Sequence, residues 1–140
     1  MVDSLNVLIV DDSHALRQEL RVQFERLGHR VVGEATNGIE ALEQISELKP
    51  DLVSLDIIMP EMDGIECYRM MRHLESPPRC LLVSALADED RVVETYGNEI
   101  SPQHYVSKGC SDQYLTEKVE EVLALPPLPI PEATPEDQAT

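Results

Sequence analysis

The chain has 140 residues, 42% hydrophobic and 27% charged, with a formal net charge of −16. That length gives one domain with a real core, and no apolar run approaches the roughly eighteen residues that span a bilayer. So acidic a surface repels nucleic acid backbones and anionic lipids, which argues against direct nucleic acid binding and membrane insertion.

The opening MVDSLNVLIVDD has no basic leader and no small-residue cleavage site, so it does not read as a signal peptide. It continues as a buried strand over Leu5 to Val10 (LNVLIV), short, apolar and β-branched. From Ser13 to Leu27 the residues Ala15, Leu16, Leu20, Phe24 and Leu27 recur at helical spacing, and Gly28 stops the helix. A weaker strand follows at His29 to Ala35 (HRVVGEA). The next helix, Asn37 to Leu48, puts Ile39, Leu42, Ile45 and Leu48 on one face and is closed by Pro50.

Asp51 to Asp56 (DLVSLD) is the third strand, and Asp63 to Leu74 a helix after the turn-like MPEMDG. Cys80 to Ser84 (CLLVS) is the fourth strand, followed by a short helix at Asp88 to Tyr96 with a thin apolar stripe, ended by Gly97. Gln103 to Ser107 is the fifth strand. Ser111 to Leu125 is the last helix, carrying Tyr114, Leu115, Val119, Val122 and Leu123. Five strand–helix units, with strands too apolar to face water, predict a five-stranded parallel sheet with five helices on both faces and right-handed crossovers.

After Leu125 the composition changes. PPLPIPEATPEDQAT holds five of the ten prolines and no basic residue, so residues 1–125 read as the domain and 126–140 as a mobile acidic segment, either inert, a linker or a docking element. Cys67, Cys80 and Cys110 match no zinc or disulfide spacing. They are expected to be two packed thiols and one loop thiol in a cytoplasmic protein.

In open parallel sheets, sites form where loops leave the carboxyl ends of the strands. The first strand ends in Asp11-Asp12, the third in Asp56, the fourth in Ser84, and the fifth leads into Lys108. Taken singly, these are helix-capping, turn or solvated residues. Jointly, three crowded carboxylates call for a cation, and oxygen ligands with room for water suit Mg²⁺, for which Mn²⁺ can substitute. A hydroxyl and an ammonium facing that ion are the equipment for gripping a phosphoryl group.

VLIVDDS, SLDIIMPEMDG, LLVSA and YVSKG resemble the receiver domains of two-component response regulators, single-domain chemotaxis regulators among them, over about residues 5–125. The resemblance implies a flavodoxin-like doubly wound fold. It implies that Asp56 accepts a phosphoryl group from a sensor histidine kinase or phosphotransfer protein. Asp11, Asp12, Asp56 and the backbone carbonyl of Ile58 would hold the metal. Lys108 would pair with phosphoryl oxygens, Ser84 would hydrogen-bond the phosphorylated form, and Tyr105 would be the aromatic switch that turns inward. The output would be an altered face, made by the fourth and last predicted helices and the fifth strand, that binds an unidentified downstream protein; the chain itself would be a monomer or weak dimer.

Three positions depart from the pattern. Gly109 stands where the family usually has proline, and a non-proline cis bond costs about 2.5–4 kcal/mol, so the Lys108–Gly109 peptide is expected to be trans. Ile58 and Leu86 are apolar at positions that in this family border the approach of hydrolytic water, so slow loss of the phosphoryl group is expected. His14 reads as a solvated residue of the first helical turn, and Met59, Met62, Met70 and Met71 as packing residues around a tight loop marked by Pro60 and Gly64.

The sequence is also similar to receivers attached to chemotaxis methylesterases, so the receiver portion of a larger regulator, with 126–140 as linker, stays open beside the single-domain reading. A pseudo-receiver used only for binding is a further alternative. A phosphohydrolase with an aspartate nucleophile would need a second Asp at position 58, where Ile58 stands. A flavin carrier would need a hydroxyl-rich phosphate loop where Asp11 and Asp12 lie. The expected role is therefore that of a phosphoacceptor rather than a turnover enzyme.

Overall fold

The computed structural model describes residues 4–57, 64–84 and 104–125. Within them the strands are β1 (Asn6–Val10), β2 (Arg30–Ala35), β3 (Leu52–Asp56), β4 (Arg79–Ser84) and β5 (Tyr105–Ser107). The helices are α1 (His14–Arg26), α2 (Gly38–Leu48), α3 (Gly64–Met71) and α4 (Asp112–Ala124). All strand pairs are parallel, in the order β2-β1-β3-β4-β5. This is the doubly wound α/β fold expected from the alternating rhythms. The helix predicted at 88–96 and the Pro-rich segment lie outside the described residues.

Strand alternation sorts the core into two layers. Leu8, Val10, Val53, Leu55, Cys80, Leu82 and Tyr105 face α2 and α3 and pack with Ala41, Ile45, Ile65, Tyr68 and Met71. Val7, Ile9, Leu52, Leu81, Val83 and Val106 face α1 and α4 and pack with Phe24, Leu115, Val119 and Val122. Each large apolar side chain so buried contributes about 1.5–3 kcal/mol relative to exposure. Cys67 and Cys80 are buried and Cys110 is half-buried. Burial pushes the Cys80 thiol well above its usual range, with nearby Cys67 adding to the shift, so it packs as an inert small hydrophobe.

Local chemistry explains most boundaries. Ser13, Asn37 and Ser111 each accept a hydrogen bond from the amide three residues on, capping α1, α2 and α4. The stop of α2 comes at Lys49, which adopts a left-handed conformation (φ 48°), one residue before the proline expected to close the helix. Two expectations need correction. The third helix ends at Met71, three residues short of Leu74, and 72–76 continue as turns and bends. On α2, Leu42 and Ile45 pack inward as expected, joined by Ala41, whereas Ile39 and Leu48 are exposed by 45% and 40%. Among the described residues, no helix is long and apolar enough to cross a membrane.

Candidate functional site

Sheet register builds the site. Val10, Leu55, Leu82 and Tyr105 form one row across β1, β3, β4 and β5. One residue further along, Asp11 leaves β1 and Asp56 ends β3, so two carboxylates emerge side by side at the carboxyl edge. Another step on, Ser84 pairs with Ser107, and the Lys108 amide donates to the Ser84 carbonyl at 2.7 Å. That bond carries Lys108 to the same edge, its Nζ 3.3 Å from Asp56 Oδ1 and 3.8 Å from Asp11 Oδ2.

Asp11, Asp12 and Asp56 each offer a carboxylate oxygen within 4.8 Å of the others. Asp11 and Asp56 are buried, while Asp12 is exposed. Asp11 is held from several sides. Its amide donates to the Ala35 carbonyl (3.0 Å), its Oδ1 accepts the Ser13 amide (2.8 Å), and its carbonyl accepts from Arg17 Nη1 (2.6 Å). Its Oδ2 is buried with no hydrogen-bond partner among the described residues. Burial pushes the Asp11 carboxyl above its usual range, opposed by the Ser13 amide and Lys108, while Asp12 pushes it further up.

A buried carboxylate oxygen without a hydrogen bond, two more carboxylates beside it and one open to water fit a hard divalent cation that keeps part of its water shell. The backbone carbonyl of Ile58, the fourth expected ligand, lies outside the described residues, as does Leu86. Ser84 is buried, and its Oγ has no hydrogen-bond partner among the described residues, which leaves that hydroxyl available to an incoming acceptor. Tyr105 is 1% exposed and already sits in the core layer facing α2 and α3.

The Lys108–Gly109 peptide is trans, and Gly109 has φ +74°. Proline, locked near −65°, cannot take that conformation, so this loop is built for glycine. His14 is exposed, with Nδ1 3.4 Å from Arg17 Nη2, and stands outside the carboxylate cluster as expected. Met71 is fully buried but Met70 is 47% exposed, so only the first of these two packs; Met59 and Met62 lie outside the described residues.

Three supporting residues were not assigned these roles from sequence. Arg17 joins the Asp11 carbonyl to Glu34 on β2, its Nε 3.0 Å from Glu34 Oε1, and Arg21 binds Glu34 Oε2 at 2.8 Å. Burial alone would raise the Glu34 carboxyl, yet these two guanidinium groups hold it below its usual value. Gly64, read only as a loop marker, starts α3 against the end of β3, its amide donating to the Ile57 carbonyl at 2.8 Å. A side chain there would run into the Asp56 carbonyl oxygen and lie 2.7 Å from Ile57 Cα.

A doubly wound parallel sheet that gathers three carboxylates and a lysine at its carboxyl edge defines a signalling switch domain of the receiver type. The response regulator receiver domain family model matches residues 7–120, and the chain belongs to that family, the phosphoaccepting module of two-component signalling. It is 42% identical over 88 residues to the chemotaxis protein CheY of Thermotoga maritima, covering 63% of this chain and 73% of that protein. It is 48% identical over 81 residues to a protein-glutamate methylesterase/protein-glutamine glutaminase of Hahella chejuensis, covering 58% of this chain and 23% of that protein. Less than a quarter of that relative's length is therefore matched. Among solved structures, the response regulator domain of Thermotoga maritima CheB superposes with a TM-score of 0.73 at 31% identity, covering 89% of this chain and 99% of that one. The CheX–CheY–BeF3–Mg²⁺ complex of Borrelia burgdorferi gives a TM-score of 0.74 at 29% identity, covering 88% and 92%.

Proposed function

We propose that Asp56 is the phosphoacceptor of this receiver, taking its phosphoryl group from the phosphohistidine of a sensor kinase or phosphotransfer protein. A carboxylate oxygen of Asp56 attacks phosphorus, the P–N bond to the donor imidazole breaks, and the imidazole recovers a proton as the acyl phosphate forms. The observation that carries this reading is the placing of Lys108 Nζ 3.3 Å from Asp56 Oδ1, inside a cluster of three carboxylates. The ammonium is positioned to pair with phosphoryl oxygens as they arrive.

Asp11, Asp12, Asp56 and the carbonyl of Ile58 are the residues that would hold Mg²⁺, or Mn²⁺ in its place. Bound there, the ion supplies positive charge against the phosphoryl oxygens. The named structural relative with BeF3 and Mg²⁺ supports this assignment. The Ser84 hydroxyl takes up a phosphoryl oxygen, and Tyr105 follows the movement of the Ser84 loop to reshape the protein-binding face. The apolar residue types at Ile58 and Leu86, positions that in this family border the approach of hydrolytic water, support slow decay of the acyl phosphate. The receiver occupies 1–125 of a cytoplasmic monomer or weak dimer whose output is binding a downstream protein.

Incubation with acetyl phosphate and Mg²⁺, followed by intact-protein mass spectrometry, tests the assignment. The parent should gain one labile phosphoryl group; Asp56→Asn, and the parent with chelator, should gain none. An unchanged mass in the parent would leave a pseudo-receiver that only binds. The likeness to the methylesterase receiver region favours a second reading, the receiver portion of a larger regulator. The mass of the protein isolated from its own cells separates the two: 15.7 kDa supports the single-domain form.

A further inference from the structure

At the edge of the sheet opposite the carboxylates lies a groove of about 660 Å³. Its apolar wall includes Leu5, Ile45, Leu74 and Leu123, and its basic groups are Lys49 and Arg79. Leu5 and Leu123 belong to the core layer under α4, whereas Ile45 and Leu74 belong to the layer under α2 and α3. The groove therefore crosses from one face of the fold to the other beneath the starts of β1, β3 and β4. We propose that residues 126–132 of this same chain, Pro-Pro-Leu-Pro-Ile-Pro-Glu, occupy this groove, with Glu132 meeting Arg79.

Chain continuity is the first argument. Helix α4 ends at Ala124, and Leu123 in its last turn is itself part of the groove wall, so the segment starts at the mouth of its own site. A tethered ligand of this kind has an effective concentration in the millimolar range and needs little intrinsic affinity. Reach is sufficient. Arg79 opens β4, two strand spacings or about 10 Å from β1, while seven proline-rich residues extend about 3.1 Å each.

Chemistry is the second argument. Arg79 Nε is buried with no hydrogen-bond partner among the described residues. A buried donor calls for an acceptor, and Glu132 is the first carboxylate after Leu125. The groove also contains Asp51 and Glu75, but Asp51 Oδ2 is engaged by the Asn6 amide at 2.8 Å. With 27 acidic against 11 basic residues in the chain, most of the surface repels an acidic segment. Leu128 and Ile130 supply apolar side chains for the wall, and the four prolines among these seven residues lower the entropy lost on docking.

Paramagnetic relaxation in the full-length chain tests this. A nitroxide is placed at Ala133→Cys with Cys110→Ser, the other two thiols being buried. The amide signals of Lys49, Ser76 and Arg79 should lose at least about twofold in intensity, while that of Asp12 at the opposite edge stays unchanged. Adding Glu132→Lys, a change outside the core, should restore most of the Arg79 signal. Broadening confined to the last turn of α4, or spread evenly over the surface, would overturn the proposal. So would broadening that appears on an isotope-labelled, nitroxide-free copy mixed with unlabelled spin-labelled chain, because a second copy would then be the occupant.

Discussion

Gly64 links the start of α3 to the strand that carries Asp56. Its missing side chain lets the helix begin in contact with the Asp56 carbonyl, and its amide closes that junction on Ile57. Gly64→Ala forces either the helix or the strand end to move. Overpacking of this kind costs about 1–3 kcal/mol, visible as a lowered urea midpoint, and phosphorylation of Asp56 should slow in the folded fraction. Gly64→Ala with parent-like stability and rate would show that the junction has slack. The carboxylates and lysine were legible in the sequence because strand ends in a parallel sheet must converge. Arg17 was not, because a long side chain crossing from α1 to the Asp11 carbonyl and Glu34 leaves no periodic trace. Gly109 marked a departure from the family, but only the backbone shows a φ of +74° that excludes proline there.

At the scale of elements, strand interiors and helix starts followed from residue patterns, since apolar runs and Ser or Asn caps act locally. The end of α3 and part of the inward face of α2 did not. Leu74 still packs against the α2–α3 core layer although it lies beyond the helix, so its apolar character looked like one more helical turn. Ile39 is exposed because the facing layer covers Ala41 and Ile45, a choice made by neighbours rather than by α2 itself. The junction between β1 and β2 carries a pH dependence. His29 is buried, its Nδ1 accepts the Leu5 amide at 3.2 Å, and burial lowers its pKa below 6.5. The neutral ring is therefore the native one. Its contribution is fully present above pH 6.5 and is lost as pH falls through the lowered native value. Urea unfolding across this range should show a smaller acid loss for His29→Asn, whose amide oxygen accepts at every pH; equal losses would remove His29 from the account.

For the whole molecule, an excess of sixteen negative charges weakens the compact state and concentrates part of that repulsion at one strand edge. An ion binding the folded carboxylate cluster stabilises it by mass action, about 2.7 kcal/mol at a hundredfold excess over its dissociation constant. Thermal unfolding should therefore rise with Mg²⁺ in the parent and hardly at all in Asp12→Ala, measured at fixed ionic strength. Equal rises in both would mean that screening alone is at work. Overall topology was readable because five alternating units with buried strands admit few parallel arrangements. The groove at the opposite edge was not, since Leu5, Ile45, Leu74 and Leu123 are far apart in the chain and meet only when both core layers are complete.

Tyr105 is sealed in the core of a chain without tryptophan. Near-ultraviolet emission comes from four phenols alone, and dissolved iodide or acrylamide reaches a core ring far less readily than a surface one. Any exchange of that single ring between core and surface would thus register as an optical event, giving this molecule an intrinsic reporter that needs no attached dye.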